Sequence, residues 1–248
     1  MFVRHASWIL ICVLGISSCG RDSDAQRDNT SPTNSKLQND SSALTFPSRF
    51  DVADKLKRDS NGVVSLLQGV NLSSELEEYS HYQQLANNKS FGEMAVEFVH
   101  FFKTPFQLQD PKTELSVTRV QEDDLGFHQV RLAQNYKSVP VLHSELIVHF
   151  DQDDHVYLVQ GQYIQSPIAL NLKPRMTAQE VNQFVIDHGY AAAEVIDSSP
   201  LILPPSDGQP RLVYQLKSNV SLTDQSILLV DANNGEVIRK LRTIYNAN

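Results

Sequence analysis

The segment from Gly126 to Gln165, GFHQVRLAQNYKSVPVLHSELIVHFDQDDHVYLVQGQYIQ, constrains this chain more than any other. It holds three apolar-rich runs, and the polar Asp151-Gln152-Asp153-Asp154 separates the last two. In the third run Val156, Leu158 and Gln160 alternate with Tyr157, Val159 and Gly161. A period of two sends successive side chains to opposite faces of a strand, one buried and one nearer water. Asp-rich turns between such runs favour antiparallel pairing of sequence neighbours. Pro140 has no N–H and fits a strand start or edge. The pattern predicts a β-meander at the core of the protein.

The surrounding chain supplies helices to cover it. Val63–Leu67 follows the turn dipeptide Asn61-Gly62 and reads as a strand. Ser74-Glu75-Leu76-Glu77 and Ser90-Phe91-Gly92-Glu93 both fit a capping box, in which the N-cap hydroxyl and the Glu three residues on satisfy each other's backbone N–H groups. After the second box, Phe91, Met94, Ala95, Phe98, Val99 and Phe102 fall on one helical face, a stripe read as core rather than as a ligand box. Pro105 is expected to end that helix, and Leu115–Val120 is expected to be the strand leading into the meander. A subdomain boundary is placed near residue 171. Beyond it, Thr177-Ala178-Gln179-Glu180 is a third capping box, and Met176 and Val181 are placed for a hydrophobic staple. The helix that follows is expected to bury Val181, Phe184 and Val185, with Gly189 at its C-terminal cap. Strands are expected at Glu194–Ile196, Arg211–Leu216, Ser226–Asp231 and Val237–Leu241, the last two joined by a tight turn in which Asn234 or Gly235 takes positive φ.

Composition narrows the function classes. The formal charge of −8 over 248 residues argues against sequence-independent nucleic-acid binding, which needs Lys and Arg against phosphates. The two cysteines, Cys12 and Cys19, both lie near the N-terminus, so no disulfide framework braces the body of the fold. Residues 1–19 read MFVRHASWILICVLGISSC: a short positive region, an apolar run too short to span a membrane, then Ile16-Ser17-Ser18-Cys19. That ending resembles a bacterial lipobox, which implies signal peptidase cleavage and diacylglycerol attachment at Cys19. The alternative is an ordinary signal peptide with a chance cysteine. Gly20 after the Cys resembles the outer-membrane sorting pattern of Gram-negative lipoproteins. The expected location is the bacterial cell envelope, lipid-anchored, on the periplasmic side of the outer membrane if the cell is Gram-negative. The following stretch, GRDSDAQRDNTSPTNSKLQNDSS, has too few apolar residues to order itself and reads as a flexible tether.

The Gly126–His149 run resembles the propeptide of thermolysin-like metalloprotease precursors, whose pattern is G-x-x-x-V-R-x-x-Q-x-Y-x-G-V-P-V-x-G-S-E-L-I-V-H. Gly126, Val130, Arg131, Gln134, Tyr136, Val139, Pro140, Val141, Ser144, Glu145, Leu146, Ile147, Val148 and His149 match it in register. Ser138 and His143 stand where the pattern has glycine; both bear on turn and bulge geometry, because glycine tolerates positive φ more readily. Arg211-Leu212-Val213-Tyr214 and the turn Asp231-Ala232-Asn233-Asn234-Gly235-Glu236-Val237 resemble the PepSY domain, the second half of the same propeptides. Together the resemblances cover roughly residues 60–240. They imply an α+β fold, antiparallel sheets with helices packed on one face, in two subdomains. The expected division is 1–18 signal peptide, 19–45 tether, 46–170 thermolysin-propeptide-like and 171–248 PepSY-like.

A search for catalytic chemistry finds none of the standard constellations. None of the eight histidines is followed by glutamate, so the H-E-x-x-H zinc motif is absent, as are G-x-S-x-G and the P-loop pattern. The chain is read as non-enzymatic, without cofactor or metal. His143 and His149 share a strand face but lie roughly 20 Å apart at 3.3 Å per residue, too far for one ion. His149 with His155, near Asp151, Asp153 and Asp154, is the better-placed pair, against the plainer reading of a solvated turn. Arg131, Gln134 and Glu145 are assigned structural roles within the motif, with an interface role as the alternative, and Arg131 and Glu145 are expected to pair across neighbouring strands.

The resemblance implies a binding module that inhibits a separate thermolysin-like metalloprotease, or helps it fold. The alternatives are an envelope module with an unrelated partner, or a protease precursor lacking its catalytic domain. In such precursors the segment after the propeptide lies by the active-site cleft. The tail from Leu241 to Asn248 occupies that position, and Ile244 and Tyr245, with Arg242, are the expected partner contacts; the alternative for these residues is a frayed terminus.

Overall fold

The structure, a computed structural model, describes residues 54–190, 193–206, 208–219 and 225–242. They form a mixed α+β fold, as expected. Strand β1 (Lys55–Arg58) pairs with β2 (Val64–Gln68). A short 3-10 turn at Leu76–Glu78 leads into helices α1 (Ser80–Asn87), α2 (Phe91–Phe101), α3 (Lys103–Phe106) and α4 (Pro111–Glu114). The meander follows: β3 (Leu115–Glu122), β4 (His128–Tyr136), β5 (Val139–Phe150) and β6 (Val156–Gln162). Helix α5 (Ala178–Asp187) then precedes β7 (Ala193–Val195), β8 (Leu201–Leu203), β9 (Arg211–Asn219), β10 (Gln225–Asp231) and β11 (Val237–Arg242).

In the first half the strand order is β1-β2-β6-β5-β4-β3, every pair antiparallel. Alternation along β4 and β5 buries Val130, Leu132, Leu146, Val148 and Phe150, leaving Arg131, Glu145, Ile147 and His149 on the other face. Helix α2 lies on the buried side. Phe91, Met94, Ala95, Phe98, Val99 and Phe102 are all buried, as their spacing predicts, in one cluster with the β4–β6 side chains. Fully burying a side chain of this size contributes about 1.5–3 kcal/mol, so the stripe is a main source of stability for this half. In the second half β9 pairs with β10 and β10 with β11, while β7 and β8 share the far edge of β9. Helix α5 covers this sheet through Ala178, Val181 and Val185. The halves meet at β5, where Val141 pairs in parallel with Ile202 of β8. Tyr136 and Val141 of the meander pack in the second cluster.

Local expectations fared unevenly. At Thr177 the capping box forms as predicted: Glu180 N–H donates to the Thr177 hydroxyl (3.3 Å), and Thr177 N–H donates to Glu180 Oε2 (2.7 Å). Gly189, at φ +94°, ends the helix in a Schellman motif, Tyr190 N–H donating to Val185 O and Gly189 N–H to Ile186 O. Phe184 is half-buried rather than buried, its ring stacked on His188. The boxes at Ser74 and Ser90 do not form. Glu77 instead accepts from the Asn71 amide, and the helix proper starts only at Ser80. Ser90 is the N-cap of α2, but without a side-chain bond, because its backbone also closes α1: Ser90 N–H donates to Leu85 O. Pro105 does not end α2; the break comes at Phe102, and Pro105 sits inside α3.

Candidate functional site

The residues that carry the propeptide resemblance gather on the β4–β5 hairpin and the β10–β11 turn. The hairpin turn, Lys137-Ser138, has φ of 49° and 67°. Both residues are left-handed, the two-residue turn that matches the twist of paired strands. His143, φ 56°, lies where β5 bulges: Asn135 pairs with Pro140 but Ala133 with Glu145, so β5 carries three more residues than β4 between those pairs. Ser138 and His143, the two positions where the family pattern has glycine, thus both adopt the conformation glycine favours. Gly126, φ 82°, closes the turn before β4, where Asp123 Oδ1 accepts from Leu125 N–H (2.9 Å) and Phe127 N–H (3.0 Å).

Gln134 sits opposite the bulge and is almost fully buried, at 1% exposure. Its amide acts as an extra piece of strand: Nε2 donates to Ile164 O (2.7 Å), and Oε1 accepts from Ile164 N–H (3.0 Å). This pins the segment leaving β6 against β4. Arg131 Nη1 donates to Glu145 Oε1 at 2.6 Å on the uncovered face of the sheet, where both side chains are about a third exposed (37% each). Water screens such a pair, which contributes up to about 1 kcal/mol. Tyr136 is buried in the second cluster, with Lys137 Nζ 5.2 Å from its ring centre. Pro140 lies exposed at the start of β5. His149 is half-buried, its Nε2 3.3 Å from Gln160 Nε2; burial, and then the Arg131 charge, hold its pKa below the ordinary imidazole value.

In the second half Asp231 Oδ1 accepts from Asn233 N–H (2.8 Å), and its Oδ2 stands 3.8 Å from Arg211 Nη1. Gly235, φ +75°, lies so near α5 that a Cβ there would meet Phe184 Cδ1 at 2.5 Å. Arg242 is the last residue of β11, opposite Ser226. Cys19, Ile244 and Tyr245 lie outside the described residues.

Sequence reasoning missed two contributors. Gly161 lets β6 approach β5, since a Cβ on it would stand 2.1 Å from the backbone oxygen of Glu145. Period-two alternation marks Gly161 as a strand position but gives no sign of that approach. Glu114 is buried at 4% exposure, and its Oε1 accepts from Asp110 N–H (2.9 Å) and Ser166 Oγ (3.0 Å). With Gln134 it fixes the strand exit at residues 164–166. Asp110-Pro111 signals the start of α4, but no local pattern points to Ser166.

The turn, the bulge and the buried glutamine of the hairpin all serve its own backbone. Residues 113–163 match the Fungalysin/Thermolysin Propeptide Motif. The chain is 24% identical over 151 residues to bacillolysin of Bacillus subtilis (strain 168), covering 56% of this chain and 29% of that protein. It is 26% identical over 161 residues to thermolysin of Alicyclobacillus acidocaldarius subsp. acidocaldarius, covering 60% and 29%. The chain therefore spans less than a third of the length of these curated relatives. Among solved structures it is similar to the Bacillus megaterium YpeB C-terminal domain, with a TM-score of 0.32 at 11% identity, over 76% of this chain and 71% of that one. The chain is propeptide-like and related to thermolysin-family proteases.

Proposed function

We propose that this chain is a non-catalytic, lipid-anchored module that binds a separate thermolysin-like zinc metalloprotease, inhibiting it, assisting its folding, or both. The propeptide motif over residues 113–163 is the observation that supports this reading. Gln134, Tyr136, Asp231 and Gly235 are spent on the scaffold, so contact with the protease falls to other residues. In this reading the tail lies in the enzyme cleft as an extended peptide, its main chain pairing with an edge strand and Ile244 and Tyr245 filling apolar pockets. Acylation at Cys19 holds the module at the envelope membrane.

The test is inhibition and refolding of a thermolysin-like protease from the same cell by the full chain and by a version ending after Arg242. Ending there leaves β11 intact, because Leu241 pairs with Ile227 and packs beside Leu229. Weaker inhibition by the shortened chain is expected. Equal inhibition by both moves the contact onto the sheets. No effect of either on activity or refolding rejects the protease as partner and favours an unrelated envelope partner. Anchoring is tested separately: Cys19→Ala should release the protein into the soluble fraction or block its processing, and a processed mutant that still fractionates with membrane refutes lipidation.

A further inference from the structure

Strand β3 is an edge: among the described residues it pairs with β4 alone. Every residue of it after Leu115 is exposed. Its two faces differ in chemistry. On the helix side stand the exposed Val117, which lies against Gly92 of α2, and the exposed Val120. On the open face stands Arg119, and the bulge puts it there. Val117 pairs with Leu132, so an unbroken register would set Thr118 against Arg131; the slip brings Arg119 opposite Arg131 instead. Like charges directly opposite one another are unfavourable. Arg131 is held by Glu145 at 2.6 Å, whereas the Arg119 side chain has no ion pair or hydrogen bond among the described residues. The next pair on that face, Gln121 and Gln129, carries no charge.

A free main-chain edge, two exposed valines on one face and an unpaired cation on the other together specify an occupant. The outer N–H and C=O groups of β3 are open to pairing with an extended segment. In an added strand, residues opposite one another share a face, with Cβ atoms about 5 Å apart. The residue opposite Arg119 is then favoured as a carboxylate, which also offsets the repulsion from Arg131. Its neighbour, opposite Val120, is favoured as apolar. A second copy of β3 does not meet this demand. Its only acid is Glu122, which pairs with His128, and the His128 ring is stacked on Phe91 of α2, on the helix side of the sheet.

We propose that the β3 edge docks an extended segment of a partner protein in which acidic and apolar residues alternate. The segment extends the sheet past β3, with a carboxylate set against Arg119 and Arg131 and an apolar side chain set against Val120. The Thr118 hydroxyl donates to Arg131 O (3.2 Å) and so holds the slip that brings the two arginines together. Such docking uses no residue of the tail and does not require the partner to be a protease, so it stands or falls separately from inhibition.

The probe is a fluorescently labelled peptide the length of β3, eight residues of alternating valine and glutamate, titrated with the full chain and followed by anisotropy. Saturable binding is expected. Glutamine in place of the peptide's glutamates, or Arg119→Gln in the protein, should each weaken it by about fivefold or more. Arg119→Glu should reverse the preference, so that a valine–lysine peptide binds more tightly than the valine–glutamate one. Both variants should melt near the wild-type temperature, which separates lost docking from lost fold. Methylating one of the two alternating sets of backbone nitrogens in the peptide should abolish binding and methylating the other should not, whereas charge attraction alone survives both. The proposal is overturned by an absence of saturable binding, which leaves Arg119 as an edge charge that only deters self-pairing. It is equally overturned by binding that Arg119→Gln leaves unchanged, or that survives methylation of either set.

Discussion

Replacing Gln134 by leucine tests whether the motif glutamine acts as a strand surrogate. The side chain is nearly fully buried, and both of its hydrogen bonds go to the backbone of Ile164. Leucine keeps much of the volume and orphans one N–H and one C=O. Each orphaned buried group costs about 1–3 kcal/mol. Ile164 is half-buried, so water reaches part of it and the lower half of that range applies, about 2–4 kcal/mol for the two. Burial of the leucine side chain offsets about 1 kcal/mol. The net loss is then about 1–3 kcal/mol, or roughly 2–12 °C in melting temperature at 2–4 °C per kcal/mol. Urea denaturation should show a lower midpoint with an unchanged slope. Gln134→Glu sharpens the test. At neutral pH it sets a carboxylate oxygen against the Ile164 carbonyl and should destabilise at least as much. Burial and that repulsion raise the introduced carboxyl's folded-state pKa above its unfolded value near 4.3. The penalty is therefore full above the folded pKa and shrinks as pH falls toward the unfolded one, where a protonated carboxyl donates as the amide did. An undiminished midpoint for Gln134→Leu, or a Gln134→Glu penalty independent of pH, would refute the surrogate-strand argument.

Phe98, fully buried in the α2 stripe, should cost about 3–5 kcal/mol on truncation to alanine, read from the urea midpoint; a change under 1 kcal/mol would mean the stripe does not carry the core. Ser138→Gly and His143→Gly should each stabilise by up to about 1 kcal/mol, since a left-handed non-glycine residue costs about 1–2 kcal/mol and glycine loses about 0.5–1 in chain entropy; a clear fall in melting temperature for either would show that the side chain holds the turn. His149 has its folded pKa below the ordinary 6.5, so in that window the unfolded chain takes up a proton that the folded chain does not. That proton uptake costs nothing above pH 6.5 and weakens the fold as pH falls toward the folded value, so wild type should lose stability relative to His149→Gln on acidification; a wild type that gains on the variant toward acid would reverse the sign.

What could be read from the chain depended on whether a signal was local. The α2 stripe, the meander alternation, the Thr177 box and the Asp231–Gly235 turn are each set by residues within a few positions, and the structure forms them as predicted. Ser74 and Ser90 carry the same box pattern as Thr177 yet form no box, because the Asn71 amide holds Glu77 and the end of the preceding helix holds the Ser90 N–H. Strand β8, three residues between Pro200 and Pro204, shows no period and exists because the bulged end of β5 and the edge of β9 both accept it. The same holds within the site: the Arg131–Glu145 contact follows from neighbouring strands, whereas the bond from Gln134 to Ile164 spans thirty residues and depends on the β5 bulge.

That bulge also bears on how the motif should be understood. Gln134, Tyr136, Asp231 and Gly235 point into the protein, and each meets a need of its own backbone or core. A side chain consumed this way cannot also supply specific contact to a partner. These four residues therefore hold a frame, and under the proposed function recognition falls to what the frame presents. The eight-residue edge of β3 is one such surface, with Val117 at 43% and Val120 at 48% exposure, and the open face carrying Arg131, Glu145 and Ile147 is another. An edge strand offers unpaired N–H and C=O groups to an extended peptide. On β3 that offer is tempered: the register slips between Val117 and Arg119, and the Thr118 hydroxyl donates to Arg131 O at 3.2 Å. A bulge there bends the edge away from indiscriminate pairing. Under the proposed function, substitutions that alter partner choice are thus expected on these surfaces and in the tail, while substitutions at Gln134, Tyr136, Asp231 and Gly235 change how much protein is folded rather than what the folded protein binds.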